Sequence, residues 1–401
     1  METFLVALRL GLTSFGGPIA HLAYFRDEYV VRRRWLDEAT YAELVALCQS
    51  IPGPTSSEVG IAIGLIRSGP LGAFLAWLGF TLPSAVALVV IATFLDRFAD
   101  QAAGVIHGLG VVTVAIVAFA VWGMARALTW DPVRVAIGAV AVVLVLGLPG
   151  APAQIAVIAA AGVAGWLLLR GGPLHTGAAL DLRIGRRAAL ACAALYTALL
   201  ALLPLARVTF ASGELALLDS FYRAGGLVFG GGHVVLPLLQ AEVVPPGWVT
   251  EERFLAGYGA TQAMPGPLFT FAAYLGSVIT PFADSQPGRM LDLFTPWPPH
   301  GVVGATIALL AIFLPAFLLV FAAVPWWSVL RGHADAQGAL RGINAAVVGI
   351  LLAALITPVA SSAIRAPSDA ALALAGLAML FAKLPAWSVV LTVAAIASLL
   401  R

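Results

Sequence analysis

Two arginines, four stretches broken by glycine or proline, and one carboxylate carry the chemistry open to this chain. Arg9 and Arg223 stand shortly before two glycine pairs, Gly16-Gly17 and Gly230-Gly231. Gln49 and Gln262 precede two Pro-Gly-Pro triplets, Pro52-Gly53-Pro54 and Pro265-Gly266-Pro267. Proline removes a backbone donor and glycine permits conformations a helix does not use, so each triplet ends one helix and starts another. The first N–H groups of the new helix lack intrahelical partners and lie at the positive end of its dipole, which suits an anion. Thr55, Ser56 and Ser57 follow Pro54 and could cap the helix or donate to an oxyanion; after Pro267 only Thr270 keeps a hydroxyl. A guanidinium donates in a planar fork and is a suitable counter-charge for a tetrahedral dianion. The plainer reading of both arginines is that they lie near an interface, snorkel to water and orient their segments. The two glutamines could donate to a solute or satisfy the broken backbone. Glu58, four residues past Pro54, could carry a proton, pair with Arg9, or face an aqueous vestibule as a solvated acid.

Only one kind of protein can position such groups with this composition. Of 401 residues, 61% are hydrophobic and 10% charged, with a mean hydropathy of +0.98. Soluble domains carry about 25% charged residues, so the chain reads as an all-α polytopic membrane protein whose partner is the lipid bilayer. A net charge of +2 is too small for a nucleic-acid binder. The basic residues are 21 arginines and one lysine, Lys383, which lies in no phosphate-binding loop. An ATP-driven pump is therefore excluded unless a partner supplies the engine. Cys48 and Cys192 fall in separate apolar stretches, and His21, His107 and His233 lack ligand partners at metal spacing. No metal, cofactor or catalytic residue is expected. Arg9 falls inside the first apolar run, which is not a signal-peptide pattern.

The chain repeats itself. Arg9 and Phe15-Gly16-Gly17 recur as Arg223 and Phe229-Gly230-Gly231 at an offset of 214. Trp35 and the Gln-x-x-Pro-Gly-Pro motif recur at 213, as Trp248 and Gln262 to Pro267. Leu82-Pro83 then matches Leu314-Pro315, after an insertion near Thr280 to His300. These matches divide the chain into halves at 1–170 and 221–401, with a basic loop and a linking helix, Ala188–Leu205, in 171–220. One extra crossing between them inverts the second half, a recurring transporter architecture. Four full spans are expected in each half: 71–95, 104–125, 133–148 and 153–169, then 302–324, 338–358, 369–381 and 385–400. The interrupted segments, 5–25, 41–66, 221–240 and 254–279, are read as re-entrant half-helix pairs, since broken backbone survives at membrane depth only against protein or a water-filled cavity. With nine crossings, 14 basic residues fall on one side and six on the other. The positive-inside rule then places the N-terminus in the cytoplasm and the C-terminus outside. The mixed-charge run Arg26 to Trp35 reads as an interfacial cytoplasmic loop.

Three motifs carry a family resemblance. They are Gly11-Leu12-Thr13-Ser14-Phe15-Gly16-Gly17-Pro18, Arg32-Arg33-Arg34-Trp35-Leu36 and Cys48-Gln49-Ser50-Ile51-Pro52-Gly53-Pro54. Together with Phe229 to Gly232 and Thr261 to Pro267 they resemble the chromate ion transporter family, in its long, two-domain form, over nearly the whole chain. The resemblance implies a prokaryotic cytoplasmic-membrane protein that exports chromate, with the proton motive force as driver and sulfate, a similar dianion, as competitor. It also marks a departure, because the family pattern more often holds glutamine at the position of Glu58. A homodimer is compatible with the sequence. The rivals to chromate export are transport of sulfate or another anion, a membrane-embedded enzyme acting on chromate, and a passive anion channel.

Overall fold

The computed structural model describes residues 1–401 apart from 130, 149, 171–183, 211, 280–298, 328–332 and 400–401. Most of the insertion at 280–300 and most of the basic loop at 170–187 lie outside the described residues, as do Arg183, Arg289, Arg331 and Arg401. Among the described residues all regular structure is helical. The first run comprises α1 (Glu2–Thr13), α2 (Gly17–Phe25), α3 (Glu38–Ser50), α4 (Thr55–Arg97), α5 (Ala99–Leu128), α6 (Pro132–Gly147) and α7 (Ala151–Leu168). A linking helix α8 (Arg186–Phe210) leads to α9 (Gly213–Gly226), α10 (Val235–Val243), α11 (Glu251–Gln262) and α12 (Phe271–Val278). Then come α13 (Gly301–Ala323), α14 (Ala334–Ala354), α15 (Pro367–Phe381) and α16 (Ala386–Leu399). Six helical stretches among the described residues are long and apolar enough to cross a membrane: 55–97, 102–128, 151–168, 186–210, 301–326 and 334–363. The protein is an all-α, multi-pass membrane protein.

Local residue chemistry explains where the helices start and stop. Asp37 caps α3 by accepting from the Thr40 N–H at 2.7 Å, and Ser212 and Thr250 cap α9 and α11. Outside the membrane segments, the same Thr40 N–H holds the Asp37 carboxyl below its ordinary pKa. The four breaks fall at the glycines. Gly16 (φ 101°), Gly53 (φ 143°), Gly230 (φ 77°) and Gly266 (φ 98°) all take left-handed conformations that side chains resist. The linking helix runs Arg186–Phe210, longer than the span read from the sequence, because Arg186, Arg187 and Arg207 extend it beyond its apolar centre. The first half's break region and its first full span also merge into α4, bent at Ser68 and Gly69 ahead of Pro70.

Ion pairs show which helix ends meet. Arg33 and Arg67 both pair with Glu2, at 2.9 and 3.4 Å, and Arg26 pairs with Glu38 at 2.6 Å. The start of α1, the chain after α2, the start of α3 and the bend in α4 therefore share one end of the bundle. The chain leaves that end along α1 and α3 and meets it again at Arg33 and Arg67. Arg253 pairs with Asp96 at 2.8 Å and Arg365 with Glu252 at 3.6 Å, which gathers the start of α11, the end of α4 and the start of α15 at the opposite end.

Small residues let the long helices approach closely, the packing that membrane helices favour. Gly104 and Gly108 of α5 lie against Ser398 and Ala394 of α16. Gly338 and Gly342 of α14 lie against Gly165 and Ala161 of α7 in the same way. Both seams use the same kind of close small-residue contact. Within each half, Gly11 sits under the Phe80 carbonyl and Gly225 under that of Ile312.

Candidate functional site

The backbone freed by the four breaks is satisfied across the middle of the molecule. Gly53 N–H donates to the Val228 carbonyl at 2.7 Å, and Gly266 N–H donates to the Ser14 carbonyl at 3.0 Å. Each Pro-Gly-Pro is thus tied to the chain just before the glycine pair of the other half. Such bonds are needed in a membrane interior, where water is not there to replace them.

A cavity of about 340 Å³ opens beside this crossing, far above the ~10–15 Å³ of the same kind of space that one water needs. Gly16, Gly17 and Pro18, at the start of α2, form one wall, and Ile116, Phe119 and Ala120 of α5 form another. The second half supplies Thr261, Gln262, Gly266 and His233, and the turn between α15 and α16 brings Lys383. The Gln262 Nε2 amide is buried without a hydrogen-bond partner among the described residues. His233 Nδ1 pairs with the Tyr258 hydroxyl at 2.7 Å, which ties it to α11 as a structural group. One cavity thus combines the start of a helix, an amide side chain and an ammonium group, polar groups fit for a small anion.

Four of the residues expected from the sequence line this cavity: Gly16, Gly17, Gln262 and Gly266. The others lie elsewhere. Arg9 is exposed on α1, and Gln49 is exposed at the end of α3. Arg223 is held by carboxylates, with two 2.8 Å bonds to Asp219 and one of 3.0 Å to Glu242. Arg207 and the Ser220 hydroxyl complete that network, the hydroxyl donating to Glu242 at 2.8 Å. Two buried acids need a counter-charge, and this sets the partners of Arg223 rather than an anion. Asp219 four residues before Arg223 is a helix-pair spacing visible in the sequence. Arg223→Gln is expected to lower stability by about 3 kcal/mol, because it leaves two buried carboxylates to the longer contacts of Arg207 alone, at 3.4 and 3.9 Å; thermal unfolding in detergent measures it, and an unchanged midpoint would refute the network's role.

Gly53 and Pro54 are buried, Pro52 and Thr55 half-buried, and Ser56 Oγ pairs with His21 Nδ1 at 3.3 Å. Ser57 is buried with its hydroxyl unpartnered among the described residues. Glu58 is fully buried with neither carboxyl oxygen bonded there, and its tip lies directly over Gly53. Thr270 spends its hydroxyl on the Pro267 carbonyl at 2.7 Å, beside buried Pro267 and half-buried Pro265. Gly230 is pressed against Val347 and Asn344, and Gly231 stands next to it. Lys383, Thr261 and the α5 wall were not singled out by sequence reasoning. The one signal for Lys383 was its being a lone lysine among arginines.

The fold defines a class: an all-α, multi-pass membrane protein. The chain belongs to the chromate transporter family, whose model matches residues 1–166 and 215–399. It is 28% identical to the chromate transport protein of Pseudomonas aeruginosa, over 95% of this chain and 87% of that one. To the chromate transport protein of Cupriavidus metallidurans it is 26% identical, over 93% of this chain and 86% of that one. An uncharacterized transporter of Methanocaldococcus jannaschii is 23% identical, over 89% and 83%. No solved structure matches the chain.

Proposed function

We propose that this protein exports chromate across a prokaryotic cytoplasmic membrane, as a secondary transporter whose two inverted halves expose one site to alternate sides. The carrying observation is the exchanged pair of hydrogen bonds, Gly53 to Val228 and Gly266 to Ser14. These four positions are equivalent under the repeat, so each half reaches the other through the same contact, as a two-fold relation requires. The exchanged glycine seams of α5/α16 and α14/α7 support the same relation. The chromate transport proteins among the relatives favour chromate as the anion. Gly16, Gly17, Gln262 and Gly266 are the proposed ligands, in a cavity whose mouth lies at the cytoplasmic end under the topology of nine crossings.

The halves are not packed alike. The Thr113 hydroxyl of α5 donates to the Leu255 carbonyl of α11 at 3.1 Å, and Gly259 of α11 lies under the Leu109 carbonyl. Gly230 packs on α14, whereas Gly16 and Gly17 stand off from α5 across the cavity. This asymmetry supports a state open on one side, with the reverse arrangement as its counterpart.

A dianion leaving a cytoplasm that is negative inside gains about 4.6 kcal/mol per 100 mV, at 2.3 per charge. Membrane potential is therefore a sufficient driver, and proton exchange through Glu58 is an addition to it. Purified protein in liposomes is expected to move labelled chromate toward the positive side and to accumulate it against a gradient. At zero voltage, unlabelled chromate on one side is expected to drive uphill counterflow of labelled chromate; its absence would identify a channel, and no chromate flux at any voltage would reject the proposal. Sulfate as the main substrate is the second reading, since it shares chromate's shape and charge; competition between the two in the same vesicles separates them.

A further inference from the structure

Lys383 is the one lysine of the chain and stands on the cavity wall, at its exposed mouth. We infer that Lys383 is a charge-bearing ligand of the transported anion, drawing a tetrahedral dianion into the cavity from that end. This deepens the transport reading and rests on it.

The backbone carries the first argument. α15 ends in a Schellman turn: Leu384 N–H donates to the Met379 carbonyl at 3.1 Å and Lys383 N–H to that of Leu380 at 2.9 Å. The residue at this point must be left-handed, and Lys383 has φ 64°. Glycine is the ordinary occupant because it has no Cβ to clash. The turn between α6 and α7 is built differently, with Gly150 at φ 117° and ψ 161° as the residue that precedes α7. A lysine thus occupies a left-handed position that glycine ordinarily fills, and residues held in sparsely populated conformations cluster at functional sites.

Its position carries the second. α15 and α16 have 15 and 14 residues, about 22 Å at 1.5 Å per residue, against a hydrocarbon core of about 30 Å. The turn between them is recessed toward the breaks. Trp387 meets Phe15, beside the first glycine pair, with ring centroids 6.4 Å apart. No carboxylate among the described residues pairs with Lys383, in contrast to Arg223. The same wall carries Gln262, whose Nε2 is buried and unpartnered among the described residues, so an amide side chain and an ammonium group line one space. A lysine that only marked the cytoplasmic side by charge would need neither the cavity nor the left-handed turn.

The deciding variants are Lys383→Gly, which suits the turn, and Lys383→Arg, which keeps the charge. Thermal midpoints in detergent are expected to be equal to or above wild type for Lys383→Gly, so a loss of function is not a loss of fold. In liposomes its KM for chromate is expected to rise about tenfold at low salt, with Lys383→Arg in between and the gap narrowing at high salt. Chromate and sulfate, added separately, are expected to raise the midpoint of wild type but not of Lys383→Gly. If wild type moves no chromate yet shows that Lys383-dependent stabilisation, the transport reading fails and the ligand assignment stands. Equal KM values, equal stabilisation of both proteins, or stabilisation of neither overturns the assignment of Lys383.

Discussion

Gly266→Val is expected to abolish anion flux while the protein still reaches the membrane. Three effects converge at this glycine. Its φ of 98° lies where a β-branched side chain is strained, at roughly 1–3 kcal/mol. An added Cβ would lie 2.8 Å from Ser84 Oγ and 3.2 Å from the Phe80 carbonyl oxygen, an overpacking that adds about 1–3 kcal/mol. The backbone must then shift, and with it go the hydrogen bond to Ser14 and the cavity wall that Gly266 forms. Gly123→Ala in α5 is the control, since nothing lies within 4 Å of a Cβ there, and alanine is favoured over glycine in a helix. Chromate uptake per amount of inserted protein measures both. Flux in Gly266→Val within twofold of wild type would mean that the break has no part in transport.

The second large effect is expected at Glu58. Its carboxyl is fully buried over Gly53 with no bonded partner among the described residues. An ionised carboxylate in such a place lacks the donors that offset its desolvation. A neutral amide of the same shape is free of that difficulty, so Glu58→Gln should fold at least as stably as wild type. If Glu58 carries the exchanged proton, a pH gradient changes wild-type chromate accumulation about tenfold per unit for each proton. The same gradient should then leave Glu58→Gln unaffected, while imposed voltage still drives both proteins. Unaltered pH dependence in the glutamine variant would remove Glu58 from the proton path.

The helical breaks were legible from residue types because they are local. Gly16, Gly53 and Gly266 set backbone angles that their own neighbourhoods cannot undo, and the helices stop within a few residues of each. The sequence put Arg33 and Arg67 on one side, and both pair with Glu2, an acid that drew no notice. Arg223 shows where that kind of reading runs out. Its recurrence with Arg9 pointed to a shared task, yet the two sit in unlike surroundings. α8 lies against the second half, bringing Arg207 to Asp219 and closing a buried charge network, while Arg9 is exposed on α1.

What the sequence by itself determined was the solvent and the backbone: a chain this apolar must live in lipid, and its glycines and prolines must interrupt helices there. Both follow from the chemistry of single residues and their near neighbours. Tertiary structure alone decided which donors face the same space. Gly16, Gln262 and Lys383 come together across hundreds of positions through the packing of α2, α11 and the α15–α16 turn, and no local periodicity encodes such a meeting.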